Sequence, residues 1–533
     1  MIFFNKVSKY GMPLVIALSV ILGMFVQQKI DIRKNSFHNR ANEPVSKLDA
    51  VLNYVNREYV DTVNIPDIVE STIPIMLENL DPHTIYIPAK EVKAMNEPLE
   101  GNFDGIGVQF NIQKDTVTVV KTIFGGPSEK VGLKDGDRIV KVNDSLIAGV
   151  GITNNKVLKL LRGNKGTKVE VGIFRRGETD LLNFTITRGE IPLYSVDVSY
   201  MLDAKTGYVK ISKFAKTTHK EFQQAIAKLK TMGMSSIIID LRSNSGGYLD
   251  AAINIADEFL AKGKLIVYTE GRSRPKSSYY ATHRSSCVNL KVTVLIDEWS
   301  ASASEIVSGA IQDNDRGKIV GRRSFGKGLV QEPVVFADGS AMRLTIARYY
   351  TPSGRCIQRS YEKGQDEYYS DIQNRFINGE FMEQDSIHFP DSLKYFTTKG
   401  RVVYGGGGIM PDKFIPADTT GTSDYLTTIR RKGLEYQFSF EFTDKNRKKL
   451  SSFKNLDGLI SYLNNQNLLD KFIDFADKNG VKADNQGIKV SGETIEIQIK
   501  ALIARNIYDN DGFYPVIKEI DKTLLEALRL NNE

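Results

Sequence analysis

Residues 235–242 read SSIIIDLR. Three consecutive isoleucines leave no face of a strand polar, so this strand belongs inside a sheet covered on both sides. The turn Ser243-Asn244-Ser245-Gly246-Gly247 follows, then a helical pattern, YLDAAINIADEFL. KLIVYT (264–269) reads as a second strand and KVTVLIDE (291–298) as a third. The helical ASEIVSGAIQD comes next, and KIVG (318–321) is a fourth strand. Strands alternating with helices imply parallel pairing through right-handed crossovers. In such sheets the loops at the strands' carboxyl ends gather on one edge, where ligands bind. Three unusual loops fall on that edge: residues 243–247, 299–304 and 322–328.

The loop at 298–305, EWSASASE, alternates serine with alanine. Ser302-x-x-Glu305 fits a capping box at a helix start. The same geometry suits a nucleophile, because the next backbone N–H and the helix N-terminus face a developing negative charge. These residues alone do not choose among Ser300, Ser302 and Ser304. The loop 321–328, GRRSFGKG, matches the first seven positions of a phosphate-binding P-loop. Its eighth residue is Gly328 where Ser or Thr must hold magnesium, and LVQEPVVF then reads as strand rather than helix. An NTPase is therefore not indicated. A lysine between two glycines at this edge can instead act as general base, provided burial keeps it neutral. Gln331, four residues on, can orient the amine of Lys327. The rival base is histidine. Of His38, His83, His219, His283 and His388, only His219 and His283 lie near the core strands, and neither falls in a strand-end loop. Gly246 and Gly247 can offer amides to an oxyanion from the same edge as the Ala303 amide.

The remaining segments fill out the organisation. Lys6 and Lys9 precede the apolar run 12–26, MPLVIALSVILGMFV, with no small-residue cleavage site after it. This pattern is expected to be an export signal that stays as a membrane anchor. Residues 35–95 read as an amphipathic helical segment. From about Gly101 short alternating strands with frequent glycines, interrupted by ITNNKVLKLLRG, form a β-rich module ending near Gly189. The last 110 residues or so read as mostly helical and carry no chemical motif. The net charge of +7, from 71 basic and 64 acidic residues, is spread along the chain and does not call for nucleic acid. Cys287 and Cys356 build no metal-ligand spacing.

The motifs DLRSNSGG, SASASEIVSGAIQD, GRRSFGKGLVQ, LTIARYYTPSGRCIQ and GGGGIMPD, in this order, resemble the carboxyl-terminal processing peptidases, a tail-specific family of S41 serine endopeptidases. The resemblance runs from about residue 40 to residue 416. It implies a multidomain α/β architecture, with 35–95 an N-terminal helical segment, 96–190 a PDZ domain and 191–420 a crotonase-like protease core. Outside it, the residues themselves give 1–34 as a signal anchor or signal peptide and 421–533 as a mostly helical extension of unknown role. It implies a Ser-Lys dyad whose nucleophile lies 25 residues before its lysine. That spacing selects Ser302 against Lys327, with Gln331 as orienting residue and Ala303 with Gly246 or Gly247 as oxyanion donors. The family has proline where this chain has Ser245. Gly105, Ile106, Gly107 and Val108 match the carboxylate-binding loop of a PDZ domain, which adds a peptide as a strand, and GGPSEKVGLKDGDRIVKVN extends the match. The resemblance implies protein substrates with apolar C-terminal tails and no metal or organic cofactor. The N-terminal apolar run adds the expectation of a location at the periplasmic face of the inner membrane, or in the periplasm if the signal is cleaved. It leaves room for adaptor proteins and homo-oligomers. A non-catalytic PDZ scaffold or chaperone is the alternative.

Overall fold

The computed structural model describes residues 44–283 and 286–533. The apolar run 12–26, and with it the anchor expectation, lies outside the described residues. Among the described residues no helix is long and apolar enough to cross a membrane. The chain divides after Leu80 into two compact units. The first contributes two described helices, Pro44–Glu58 and Ile65–Glu78. The second unit begins at Asp81.

Its central sheet holds six strands in chain order: β1 (Val196–Met201), β2 (Thr206–Ile211), β3 (Ser236–Asp240), β4 (Lys291–Ile296), β5 (Lys318–Gly321) and β6 (Lys413–Phe414). The β1–β2 pair is antiparallel and every later pair is parallel. Alternation along β3 decides the two faces. Ile237 and Ile239 pack with α1 (Thr218–Thr231), α2 (Leu249–Asp257) and α3 (Ala303–Asp313). Ile238 joins Leu295 and Val320 on the opposite side. Each buried isoleucine stabilises the core by about 1.5–3 kcal/mol.

KLIVYT does not extend this sheet. The strand Leu265–Gly271 pairs antiparallel with Arg274–Tyr280 and with Ala341–Tyr350 in a second sheet. Only Arg272 and Ser273 separate the first two strands, which is hairpin length and far too short for a parallel crossover. Leu329–Val335 also pairs with Ala341–Tyr350, as does Ile85–Ile87. Residues 35–95 are thus not purely helical, because a short strand there completes the second sheet.

Residues 108–187 form a five-strand antiparallel path, Val108–Gln113, Thr116–Thr122, Arg138–Val142, Lys168–Phe174 and Leu182–Thr187. The helix Asn154–Leu161 and these strands bury a core of their own, including Val117, Ile139, Val157 and Ile173. Val108–Gln113 is an edge strand, paired only with Thr116–Thr122. Asn102–Gly105 pairs with Gly189–Pro192 and connects this module to the core.

The C-terminal extension is mostly helical, as expected. It includes α4 (Leu434–Leu450), α5 (Asn485–Tyr508), α6 (Asn510–Ile517) and α7 (Lys522–Asn532), with a core around Phe438, Phe472, Ile495 and Ile499. It touches two bodies. Asp444 pairs with Arg138 at 3.0 Å, Glu441 with Lys114 at 3.1 Å, and Asp509 with Lys121 of the β-rich module. Leu524, Ala527 and Leu530 of α7 cover the Ile238–Leu295–Val320 face of the central sheet. The two cysteines are free.

Candidate active site

The loops 243–247, 299–304 and 322–328 follow β3, β4 and β5 and meet at one edge. Ser302 is the N-cap of α3 and adopts φ 54°, ψ −110°. A non-glycine residue in this region is strained and persists only where its surroundings fix it. Here Glu305 does the fixing. Its Oε2 accepts from Ser302 N–H at 2.8 Å and from Lys327 N–H at 2.9 Å. Its Oε1 accepts from Ser324 Oγ at 2.5 Å and from Gly326 N–H at 2.7 Å. The carboxylate is completely buried. Burial pushes its pKa up, and the four donated hydrogen bonds oppose that rise. Tyr349 bridges the same two loops, its hydroxyl lying 3.1 Å from Ser302 C=O and 2.8 Å from Lys327 C=O. The sequence marks Glu305 only as a cap. Every residue of α3 is buried, and an acidic side chain on such a helix must find partners.

The three serines separate cleanly. Ser300 and Ser304 are fully buried. Ser300 Oγ donates to Leu241 C=O at 2.9 Å, and Ser304 Oγ to Asn244 C=O at 2.8 Å. Ser304 thereby holds the 243–247 loop, and Ser300 the chain leaving β3 just before it, against the serine loop. Ser302 alone of the three is only partly buried.

Lys327 is mostly buried, and this holds its amine below the ordinary lysine range; Arg343 adds repulsion, while Asp81 and Glu305 oppose the shift. Its Nζ donates to Gln331 Oε1 at 3.0 Å. Gln331 Nε2 in turn donates to the His83 carbonyl. The pairing of Leu329–Val335 with Ala341–Tyr350 shifts register between Val330 and Gln331, and such a bulge re-aims a side chain. Among the described residues no hydrogen bond joins Lys327 Nζ to Ser302 Oγ; catalytic hydrogen bonds often tighten only when substrate binds.

The histidine at this site is His83, not His219 or His283. Its Nε2 lies 2.7 Å from the Tyr368 hydroxyl. Burial first, then Lys327, lowers its pKa to about 3. His219 instead pairs with Glu258 at 2.8 Å. Because His83 is neutral when folded but binds a proton near pH 6.5 when unfolded, its contribution to stability is complete above pH 6.5. It is lost as pH falls from 6.5 toward 3, at about 1.4 kcal/mol per unit. Denaturant titration of His83→Gln is expected to lose about 2 kcal/mol less than wild type between pH 7 and pH 5.

Gly246 is forced by close approach: a Cβ there would lie 2.8 Å from Ser302 Cβ and 3.0 Å from the Ala303 nitrogen. Its own N–H is taken, donating to Asn244 Oδ1 at 2.9 Å. Phe214 N–H donates to Gly246 C=O, and Phe214 C=O accepts from Tyr248 N–H. That pairing turns the Gly247 polar groups away from Phe214. Ala303 opens α3, so its N–H has no partner one turn back. Of the three amides, those of Ala303 and Gly247 make no hydrogen bond among the described residues, and Gly246 is the residue that lets the two loops touch.

In the β-rich module, Gly105 ends the strand that pairs with Gly189. Ile106 is buried, and its carbonyl accepts from Ser128 N–H at 2.9 Å and Ser128 Oγ at 2.6 Å. The Gly107 carbonyl accepts from Ile123 N–H at 3.0 Å. Val108 begins the open edge strand.

Residues 205–365 match the model of peptidase family S41, residues 105–186 that of the PDZ domain, and residues 425–509 that of a family of unknown function. The carboxy-terminal processing protease CtpB of Bacillus subtilis is 34% identical over 323 residues, which are 60% of this chain and 66% of that protein. The carboxy-terminal-processing protease of Bartonella bacilliformis is 34% identical over 347 residues, 63% of this chain and 79% of that protein. The solved photosystem II D1 C-terminal processing protease is 29% identical, with a TM-score of 0.36, covering 60% of this chain and 85% of that one. The chain belongs to the carboxy-terminal processing proteases, serine endopeptidases of family S41 that carry a PDZ domain.

Proposed function

We propose that this protein cleaves peptide bonds with Ser302 and Lys327, and that its PDZ domain selects substrates by their apolar C-terminal tails. The observation that carries this reading is the double bridge, Glu305 and Tyr349, that locks the Ser302 and Lys327 backbones together beside a buried amine. Neutral Lys327 takes the Ser302 hydroxyl proton as Oγ attacks the substrate carbonyl carbon. The oxyanion is received by the Ala303 and Gly247 amides. The lysinium then protonates the leaving amine, and the neutral amine activates the water that hydrolyses the acyl-enzyme. Gln331, anchored on the His83 carbonyl, aims the amine. The tail would add to the open edge of Val108–Gln113, its carboxylate meeting the loop of Gly105, Ile106 and Gly107. The apolar run 12–26 supports export with the protein held at the outer face of the inner membrane.

Hydrolysis of a labelled peptide with an apolar C-terminus tests the reading. Wild type is expected to cleave it and Ser302→Ala to bind it without cleavage. Cleavage by Ser302→Ala would overturn the assignment. Binding without cleavage by wild type would favour the scaffold alternative.

A further inference from the structure

The C-terminal extension carries no chemical motif, yet it reaches the loop that offers the Gly247 amide. Arg242 begins the turn out of β3, four residues before Gly246. Its Nη1 and Nη2 donate to Asp521 Oδ1 and Oδ2 at 2.8 and 2.6 Å. The same guanidinium donates to Asp240 through Nε at 3.0 Å and Nη2 at 2.6 Å. Arg242 N–H donates to Asp240 Oδ1 at 2.9 Å, and its carbonyl accepts from Lys210 Nζ at 3.1 Å. Every polar group of Arg242 is thus held. Asp240 is buried and also accepts from the Tyr208 hydroxyl at 2.7 Å.

Asp521 is itself fixed. It is the N-cap of α7 and accepts from Leu524 N–H at 3.0 Å, while Leu524 packs on the central sheet. Lys210, Arg242, Asp240 and Asp521 balance two positive charges against two negative ones. Removing the Asp521 charge leaves a largely buried excess cation at the root of the 243–247 loop. A paired fork of two hydrogen bonds fixes direction as well as distance, and displacing a reacting group by about 1 Å can cost about 10²-fold in rate.

We propose that Asp521 is a positioning residue for peptide hydrolysis, acting through Arg242 on the loop that presents the Gly247 amide. The extension is on this account part of the catalytic apparatus rather than an appended module. The inference rests on the Ser302–Lys327 reading above. The test is steady-state hydrolysis of a short peptide by full-length Asp521→Asn, Asp521→Glu and wild type, with kcat expressed per active site titrated by a serine-reactive phosphonate. Asp521→Asn is expected to lower kcat at least about tenfold with KM within about twofold, and Asp521→Glu to recover part of the loss. A wild-type kcat per titrated site in Asp521→Asn would overturn the proposal. So would a loss that merely follows the fraction of folded protein. Should Asp521→Asn fail to fold, Arg242→Lys, which keeps the charge but not the two-bond fork to Asp521, decides instead: a kcat per titrated site equal to wild type refutes a role in positioning. Lys522→Gln, on the same helix but paired with Asp418 at 2.8 Å, is expected to keep wild-type kcat. An inactive wild type, or an active Ser302→Ala, would fault the parent reading instead.

Discussion

Lys327→Met is expected to leave a folded protein whose kcat/KM for peptide hydrolysis is at least about 10³-fold below wild type. Methionine fills the buried space of the lysine stem without offering an amine. The basis is desolvation: an ammonium is disfavoured in a mostly buried site, and Arg343 disfavours it further. A lowered pKa makes the neutral base available nearer neutrality. The sign follows directly, because the reactive form is unprotonated. Wild-type kcat/KM is expected to rise with pH through an apparent pKa below the ordinary lysine value of about 10.4. The same group affects stability. Between its lowered folded pKa and its unfolded value the unfolded chain holds more protons, so stability rises with pH across that window. Full activity in Lys327→Met, or a rate independent of pH below 9, would refute the base assignment.

Glu305→Gln is expected to produce the next largest loss, about 10²-fold in kcat/KM, with about 3 kcal/mol of lost stability. The carboxylate accepts four hydrogen bonds, two on each oxygen. A glutamine turns one oxygen into an NH₂ group that must face two donors. If the NH₂ replaces Oε2, the amides of Ser302 and Lys327 both lose their acceptor. If the side chain flips, Gly326 N–H and Ser324 Oγ are left facing it. In the first orientation the bridge between nucleophile and base opens and Tyr349 alone holds them; in the second that bridge stands, but the loop before Lys327 loses its anchor at Gly326. Denaturant midpoints and steady-state rates read the two effects separately. A Glu305→Gln protein with wild-type rate would show that the strained Ser302 backbone does not need this carboxylate.

Local pattern made much of the architecture legible. The all-apolar β3, the serine-rich start of α3 and the helical tail follow from period and composition, and the order of motifs carried the family. What failed was what short windows cannot hold. KLIVYT has the composition of a buried parallel strand, and its partner Arg274–Tyr280 was hidden because RPKSSYY is too polar to read as one. The Gly246 amide, a candidate donor on sequence grounds, is occupied by the Asn244 side chain two residues earlier. Gln331 and His83 lie 248 positions apart, and Arg242 and Asp521 lie 279 apart. No periodicity announces such pairs, because each is made by the fold rather than by its neighbours. Glu305 is the intermediate case. Its spacing from Ser302 was visible, and its second duty toward Lys327 needed the loop after β5 to arrive beside it.

The cover that α7 places over the central sheet has a consequence for how the enzyme comes into being. Ribosomes release a chain from its amino end, and domains generally fold in that order at about 5–20 residues per second. Strands β2 to β5 are complete by Gly321, but Ile238, Leu295 and Val320 keep one bare oily side until Leu524, Ala527 and Leu530 have been made. Roughly two hundred residues separate the two events, on the order of 10–40 s of synthesis. A half-made protease of this design is unfinished on one flank, and ripens only once residues 522–532 have closed over it.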